Sequence, residues 1–176
     1  MDMDAAVKKL TKDFILKKTK NPLYLEQQDD ASVALSTLLL HAKKSIIIFS
    51  DLPNHIYCHK ETEKSLEFMS AQNNIDIQLF SPSIPTFNTF LAIILQKGGL
   101  IQPNVYQKYP ELKKKPSFLI VDEEFALVQE KDKIKMLYNP KECQKLLLNL
   151  PIRPRSVQIT TSDIKQDALR GREYTD

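Results

Sequence analysis

Two short, continuous apolar runs constrain the fold of this 176-residue chain. The first is Ile46-Ile-Ile-Phe49 and the second is Phe118-Leu-Ile-Val121. A strand that alternates apolar and polar residues buries one face, whereas a strand that is apolar throughout needs cover on both faces. Both runs are rich in β-branched or aromatic residues, which favour an extended backbone. The sequence therefore predicts that the two runs lie side by side at the centre of one sheet, between helices.

Helices and strands are predicted to alternate around these runs. Apolar residues at helical spacing, separated by prolines and glycines, predict helices over residues 4–18, 29–44, 60–73, 85–97 and 140–149. Apolar or alternating segments predict strands over residues 23–25, 45–50, 75–80, 105–106 and 157–159, and a hairpin over 116–138. The expected fold class is α/β: a single domain with a mixed β-sheet flanked by helices.

The predicted elements divide the chain into three parts. Residues 1–20 are expected to form an N-terminal amphipathic helix, residues 21–160 the α/β domain, and residues 161–176 a polar tail that is partly disordered. The apolar stripe of the first helix is predicted to consist of Val7, Leu10 and Phe14.

Two local patterns add detail to the α/β domain. Asp29 or Asp30 is expected to cap the second helix, because a carboxylate accepts hydrogen bonds from free backbone N–H groups. Residues 75–80 alternate apolar and polar side chains, which predicts a half-exposed strand or one near the edge of the sheet.

Composition narrows the function classes. A chain with only three glycines is unsuited to a glycine-rich phosphate loop, which needs several positions with positive φ or close backbone approach. A net charge of +3 permits binding to nucleic acid or another anionic partner without demanding it. No apolar run approaches the roughly 20 residues needed to span a bilayer, and the first residues do not resemble an export signal. We therefore expect a cytoplasmic protein.

One loop carries the only cluster of metal-like ligands, His55, Cys58 and His59. These side chains could hold zinc if a fourth ligand came from elsewhere. Structural zinc sites usually pair two ligand clusters, so we expect ordinary loop residues, with no metal and no other cofactor. The sequence likewise favours a reduced state for Cys58 and Cys143.

The segment from residue 115 to residue 128 resembles the signature strand pair of the phospholipase D superfamily. In that family a first strand reads His-x-Lys-x-x-x-x-Asp, and a second strand enters a Gly-Ser-x-Asn-like segment. Here Asp122 matches the aspartate, but Lys115 occupies the histidine position and Ser117 the lysine position. Residues 129–131 replace the Gly-Ser-x-Asn segment. The resemblance covers roughly residues 29–150, and it implies one phospholipase D-like repeat with a degenerate motif.

This resemblance implies a pseudoenzyme, because the nucleophilic histidine and the phosphate-holding lysine are both replaced. We expect a non-catalytic binding or regulatory module for nucleic acid or another anionic ligand. Its expected anion-binding residues are Lys113, Lys114 and Lys115, at the mouth of the family's cleft. Asp122 is expected to cap the hairpin turn through its own side chain. Active family members combine two copies of the motif, so a homodimer is also admitted.

Two other classes of function stay open. One is a structural or protein-interaction module, for which the helix at residues 4–18 could supply a docking surface. The other is an enzyme with relocated chemistry around His55, Cys58 and His59. These residues lie in the loop at 51–60, which follows a central strand, and ligands usually bind at the carboxyl ends of such strands.

Overall fold

The computed structural model describes residues 2–51, 56–72 and 74–153. Its strands are β1 (Leu23–Leu25), β2 (Ser45–Phe49), β3 (Asp76–Phe80), β4 (Leu100–Gln102), β5 (Ser117–Val121), β6 (Phe125–Glu130) and β7 (Lys133–Tyr138). Its helices are α1 (Met3–Lys17), α2 (Gln28–Leu40), α3 (Lys60–Gln72), α4 (Thr89–Gln96), α5 (Val105–Lys108) and α6 (Pro140–Leu147), with a 3-10 helix at Pro110–Lys114.

All of these strands form one mixed sheet in the order β1-β7-β6-β5-β2-β3-β4. Strands β2, β3 and β4 are parallel to one another, and the remaining neighbours are antiparallel. Ile46 lies opposite Val121 and Phe49 lies opposite Phe118. The prediction that the two apolar runs are adjacent central strands is therefore confirmed, as is the α/β single-domain fold.

The two faces of the sheet are covered unequally. Helices α1 to α4 form a thick layer on one face, where Ile46, Ile48, Leu119 and Val121 belong to the larger core cluster. The other face is covered by α5, the 3-10 helix, α6 and the segment that follows α6, and its core cluster is smaller. We call helices α1 to α4 the thick layer, and the elements that cover the other face the thin layer. Alternate residues of β2 and β5 enter the two clusters, which explains why both strands are apolar throughout.

The alternating pattern of β3 predicted either a half-exposed strand or one near the edge of the sheet. Strand β3 is indeed next to the edge strand β4, but it is buried and not half-exposed. It pairs with β2 on one side and β4 on the other. Its polar Gln78 is only 2% exposed. The Gln78 side-chain amide accepts a hydrogen bond from the Arg153 backbone N–H at 2.9 Å and donates one to the Arg153 carbonyl at 3.0 Å. Because both polar atoms are satisfied by backbone groups, a glutamine is tolerated in the core.

The predicted strand at residues 105–106 is wrong, because these residues begin helix α5. The third parallel strand is β4, which starts immediately after the glycines that end α4. Gly98 has a φ of +75°, and a Cβ on Gly99 would lie 2.5 Å from the Ile94 side chain. The chain can therefore reverse directly into β4, and this tight turn is what the sequence pattern did not reveal.

Helix boundaries also differ from the predictions. Helix α2 ends at Leu40, and its N-cap is Gln27, so Asp29 and Asp30 lie in the first turn instead of capping it. They still favour the helix through its macrodipole. Helix α4 begins at Thr89, not at residue 85, because the Asn88 side chain accepts a hydrogen bond from the Leu91 N–H at 2.9 Å.

Helix α1 packs against α2 and the sheet through a stripe slightly different from the predicted one. Val7 and Phe14 are buried as predicted, but Leu10 is 57% exposed. Thr11 and Ile15 are buried in its place. The Thr11 hydroxyl donates to the Val7 carbonyl at 2.8 Å, which makes its burial inexpensive. None of the described helices is both long and apolar enough to cross a membrane. The predicted strand at 157–159 and the tail at 161–176 lie outside the described residues.

Candidate functional site

The three residues that the family resemblance singled out, Lys115, Ser117 and Asp122, are split between the two ends of β5. Lys115 and Ser117 lie at the start of β5, next to the carboxyl end of β2. Asp122 follows the end of β5, beside the start of β2. Ser117 and Asp122 are five positions apart, which corresponds to about 17 Å of strand. Asp122 therefore cannot share a ligand-sized site with Lys115 and Ser117.

Asp122 joins the β5–β6 hairpin to the connection between α2 and β2. Its carboxylate accepts hydrogen bonds from the backbone N–H groups of Lys43 at 3.0 Å, Lys44 at 2.6 Å and Ser45 at 3.0 Å. The Asp122 N–H in turn donates to the Ser45 carbonyl at 2.9 Å. We expected Asp122 to cap its own turn. The structure gives its carboxylate a longer-range partner instead, because β2 and β5 are antiparallel neighbours.

The turn that contains Asp122 has a strained backbone. Asp122 and Glu123 have φ values of +55° and +59°, and the Glu124 N–H donates to the Val121 carbonyl at 3.1 Å. Positive φ at both central positions is the geometry of a type I′ hairpin turn, which usually contains Asn or Gly. The strain at Glu123 is tolerated because the Asp122 carboxylate holds the turn against the start of β2.

A cleft of about 220 Å³ lies beside Asp122, on the thin-layer face of the sheet. Its charged lining is largely neutralised. The Arg153 guanidinium donates to the Asp76 carboxylate at 2.6 Å, and the Asp122 carboxylate is occupied by backbone N–H groups. Glu123 and Lys44 complete the charged part of the lining. Since acidic and basic groups are mixed here, this cleft does not favour an anionic ligand.

Lys115 is engaged within the protein. Its ammonium Nζ donates to the Lys145 carbonyl at 3.1 Å, in the last turn of α6. The same carbonyl accepts from the Leu148 N–H at 3.3 Å, so Lys115 adds a second donor at the end of the helix. Partial burial lowers the pKa of Lys115. Ser117 is half-buried and lies opposite Gln129 of β6.

Lys113 and Lys114 are exposed and follow a buried residue of the thin layer. They end the 3-10 helix, in which the preceding residue, Leu112, is fully buried. The Lys115 N–H closes this helix by donating to the Leu112 carbonyl at 3.0 Å. The two ammonium groups are therefore presented to solvent from a short, well-anchored turn.

A cluster of Asp51, Ser81 and Ser83 lies at the carboxyl end of β2, at the same end of the strands as Lys115. The Asp51 carboxylate accepts hydrogen bonds from the Ser83 hydroxyl at 2.8 Å, the Ser83 N–H at 3.3 Å and the Ser81 hydroxyl at 3.4 Å. Burial and the Asp51 charge raise the pKa of Tyr106 nearby. The hydrogen bonds from Ser81 and Ser83 to the Asp51 carboxylate hold the loop after β3 in place. Local structure therefore accounts for the cluster.

Of the candidate metal and nucleophile residues, Cys58 and His59 lie in the part of the chain that the structure describes. His59 Nδ1 accepts a hydrogen bond from the Glu61 N–H at 3.3 Å, in the first turn of α3. Burial and the Glu63 charge raise the pKa of the Cys58 thiol, which disfavours the nucleophilic thiolate. Burial, together with nearby glutamates, raises the pKa of Cys143 to about 12.

No candidate metal site is found in the described part of the chain. His55 lies outside the described residues. Within residues 2–51, 56–72 and 74–153, no three histidine, cysteine or acidic side chains are grouped as metal ligands would be. Cys58 and Cys143 are both free thiols.

The net charge is concentrated in the part of the chain that forms the thin layer. Residues 2–104 contain equal numbers of basic and acidic side chains, eleven of each. Residues 105–153 contain ten basic and seven acidic side chains. This second segment supplies α5, the 3-10 helix and α6, together with β5, β6 and β7. The thin layer is thus a short, lysine-rich cover on the sheet.

A further basic surface, which the sequence interpretation missed, adjoins α6. Tyr24 of β1 lies opposite Lys135 of β7, and Lys133 lies two residues before Lys135. We call these three residues the β1–β7 face. The Lys-x-Lys spacing in a strand places both lysines on one face, and the sequence alone could have indicated this. Nothing in the sequence indicated that β7 pairs with the distant β1.

Comparisons with known proteins identify no family. No family model and no curated protein matches the chain. One similar solved structure is TrmBL2, an archaeal chromatin protein described as showing a novel mode of DNA binding. It has 9% identity and a TM-score of 0.47, over 85% of this chain and 60% of that one. Another is NucT from Helicobacter pylori, with 12% identity and a TM-score of 0.47, over 72% of this chain and 89% of that one. Likenesses this distant carry no argument about activity or ligand.

We predict that Asp122→Ala lowers the free energy of unfolding by about 2 kcal/mol, because several charge-assisted hydrogen bonds are lost and exposed N–H groups regain water only in part. Asp122→Asn should lose less, since its amide oxygen can still accept. Urea denaturation of both variants measures the change. Asp132→Ala, in the exposed β6–β7 turn, is the control and should unfold like the wild type. An Asp122→Ala variant as stable as the control would contradict this role.

Proposed function

We propose that the protein is a non-catalytic module that binds nucleic acid through the lysines of its thin layer. The observation that carries the proposal is the placement of Lys113 and Lys114. Both are exposed on an anchored 3-10 helix, within the segment that holds the chain's excess positive charge. Phosphate contacts by lysine release condensed counterions, and this release supplies most of sequence-independent nucleic-acid affinity.

An extended polyanion fits this surface better than a small anion. Lys113 and Lys114 precede β5, and Lys133 begins β7 at the same edge of the sheet. Strand β7 is two strands away from β5, a distance of about 10 Å. Lysines spread over such distances match a chain of phosphates, whereas one small anion needs convergent donors.

The non-catalytic part of the proposal rests on the absence of a free nucleophile at the resembled positions. Lys115 replaces histidine and donates to the Lys145 carbonyl, and Ser117 replaces lysine. Among the residues that the structure describes, the alternative nucleophiles His59 and Cys58 are disfavoured as well, since His59 accepts from a backbone N–H and the pKa of Cys58 is raised. A retained basic surface without a nucleophile is what a phospholipase D-like pseudoenzyme would present.

A protein partner is the second candidate function. Ile84 and Phe87 are 74% and 71% exposed, in the loop between β3 and α4. Large apolar side chains this exposed, and this close in sequence, are frequent in interaction surfaces. Dimerisation belongs to this alternative, and a cytoplasmic location is compatible with both candidates.

We predict that the wild type binds nucleic acid at low salt with an affinity that falls steeply as salt is raised. Lys113→Ala combined with Lys114→Ala should bind more weakly, and the slope of log affinity against log salt should shrink by about two units. Fluorescence anisotropy with a labelled oligonucleotide provides the measurement. The matched control is Lys8→Ala combined with Lys12→Ala, which removes two exposed lysines from α1. Equal losses in both double variants would refute a specific role for the 3-10 helix.

We also predict no turnover of a chromogenic phosphodiester or of single-stranded DNA. Losing the nucleophile in a covalent mechanism typically removes several orders of magnitude of rate. The assay uses purified wild type alongside His55→Ala and His59→Ala variants. Turnover that one of these variants abolishes would show that the chemistry has been relocated and would overturn the non-catalytic proposal.

A further inference from the structure

We infer that the β1–β7 face is a stacking platform for single-stranded nucleic acid: an unpaired base lies on the Tyr24 ring, and Lys133 and Lys135 contact adjacent phosphates. This inference rests on the proposed function and names the form of nucleic acid that the thin-layer side accepts.

Strand alternation sets the geometry of the face. Leu25 is buried in the thick-layer core and Leu23 packs against it. Tyr24 therefore points to the opposite side of β1, where it is 66% exposed. Ile134 and Met136 of β7 also enter the thick-layer core, so Lys133 and Lys135 point to the same side as Tyr24. The register places Lys135 directly opposite Tyr24.

The face is open and slightly concave. Helix α6 packs over β6, one strand further in. A depression of about 240 Å³ is lined by Tyr24, Val128, Glu130, Lys133 and Lys135. Val128 is buried and forms its floor. The depression therefore has an apolar floor, an aromatic wall and basic groups at its rim.

The charge of the depression favours an anionic occupant. Its lining contains two lysines and one carboxylate, Glu130, which lies opposite Lys133. Among the residues that the structure describes, Lys135 is in no salt bridge. Its two cross-strand neighbours are Tyr24 and Val128, both uncharged. One positive charge thus remains next to the exposed ring.

An exposed ring beside an uncompensated lysine is the combination that recognises a single-stranded polynucleotide. Every base offers an aromatic face for stacking, and every nucleotide offers a phosphate for a lysine. Lys133 and Lys135 are about 7 Å apart along β7, so they can meet different phosphates. Base pairs in a duplex are already stacked on one another. The face should therefore prefer single strands over duplex.

The absence of tryptophan from the chain provides a direct test. Tyr24→Trp introduces a single tryptophan whose fluorescence reports stacking at this position. The control is Phe68→Trp, which introduces a tryptophan at a position 60% exposed on α3, in the thick layer. We expect a twelve-nucleotide oligo-dT or oligo-U to quench Tyr24→Trp fluorescence by at least half. A duplex of the same length should quench it much less, and Phe68→Trp should change little.

Affinity measurements separate this inference from the proposed function. Tyr24→Ala should weaken oligo-dT binding roughly ten-fold through lost stacking, with an unchanged salt slope, while Tyr24→Phe should bind like the wild type. Wild-type binding without quenching of Tyr24→Trp would overturn the platform and leave the proposed function standing. Equal quenching in Phe68→Trp would also overturn it. No binding of oligo-dT by the wild type at low salt would overturn both the stacking platform and the proposed function. A protein that binds the β1–β7 face in place of oligo-dT would overturn the platform and assign the face to a protein partner.

Discussion

The hydrogen bonds of the Asp122 carboxylate are the contacts on which the rest of the sheet depends. Residues Lys43 to Ser45 form a tight connection between α2 and β2, and their backbone N–H groups converge on one side chain that is distant in sequence. This contact fixes the register of β2 against β5 at their common end. It also supports a hairpin turn with positive φ at two non-glycine residues. Asp122 is the one residue of the resembled family's motif that is present in this chain. Here its carboxylate contacts backbone N–H groups.

The unequal cover on the two faces links this architecture to the proposed function. Helices α1 to α4 bury one face thoroughly, and most of the stabilising apolar area lies there. The thin layer needs to cover only a smaller cluster around Phe49, Phe118 and Cys143. Short elements suffice for that task, and they leave lysines and part of the sheet exposed. The proposed function thus places binding on the face opposite the one that supplies most of the apolar burial.

The sequence predicted the fold better than it predicted the site. Periodicity located the central strands and the hairpin, because full burial leaves an unmistakable apolar run. It located β3 but overestimated its exposure, because a buried Gln78 satisfied by the Arg153 backbone looks like an exposed polar residue. Motif spacing identified Asp122, but spacing along the chain could not reveal that Lys115 donates to the Lys145 carbonyl or that Tyr24 lies opposite Lys135. Such pairings depend on contacts between distant segments.

Amide chemical-shift mapping of the folded protein with oligo-dT at low salt tests the central claim most directly, because it locates the bound strand without changing a residue. We predict perturbations at Lys113 and Lys114 and along β1 and β7, with little change in α1 and α3. Helix α1 is the informative comparison, since it also carries exposed lysines. Perturbations concentrated on α1, or none at any oligonucleotide concentration, would contradict nucleic-acid binding by the thin-layer side.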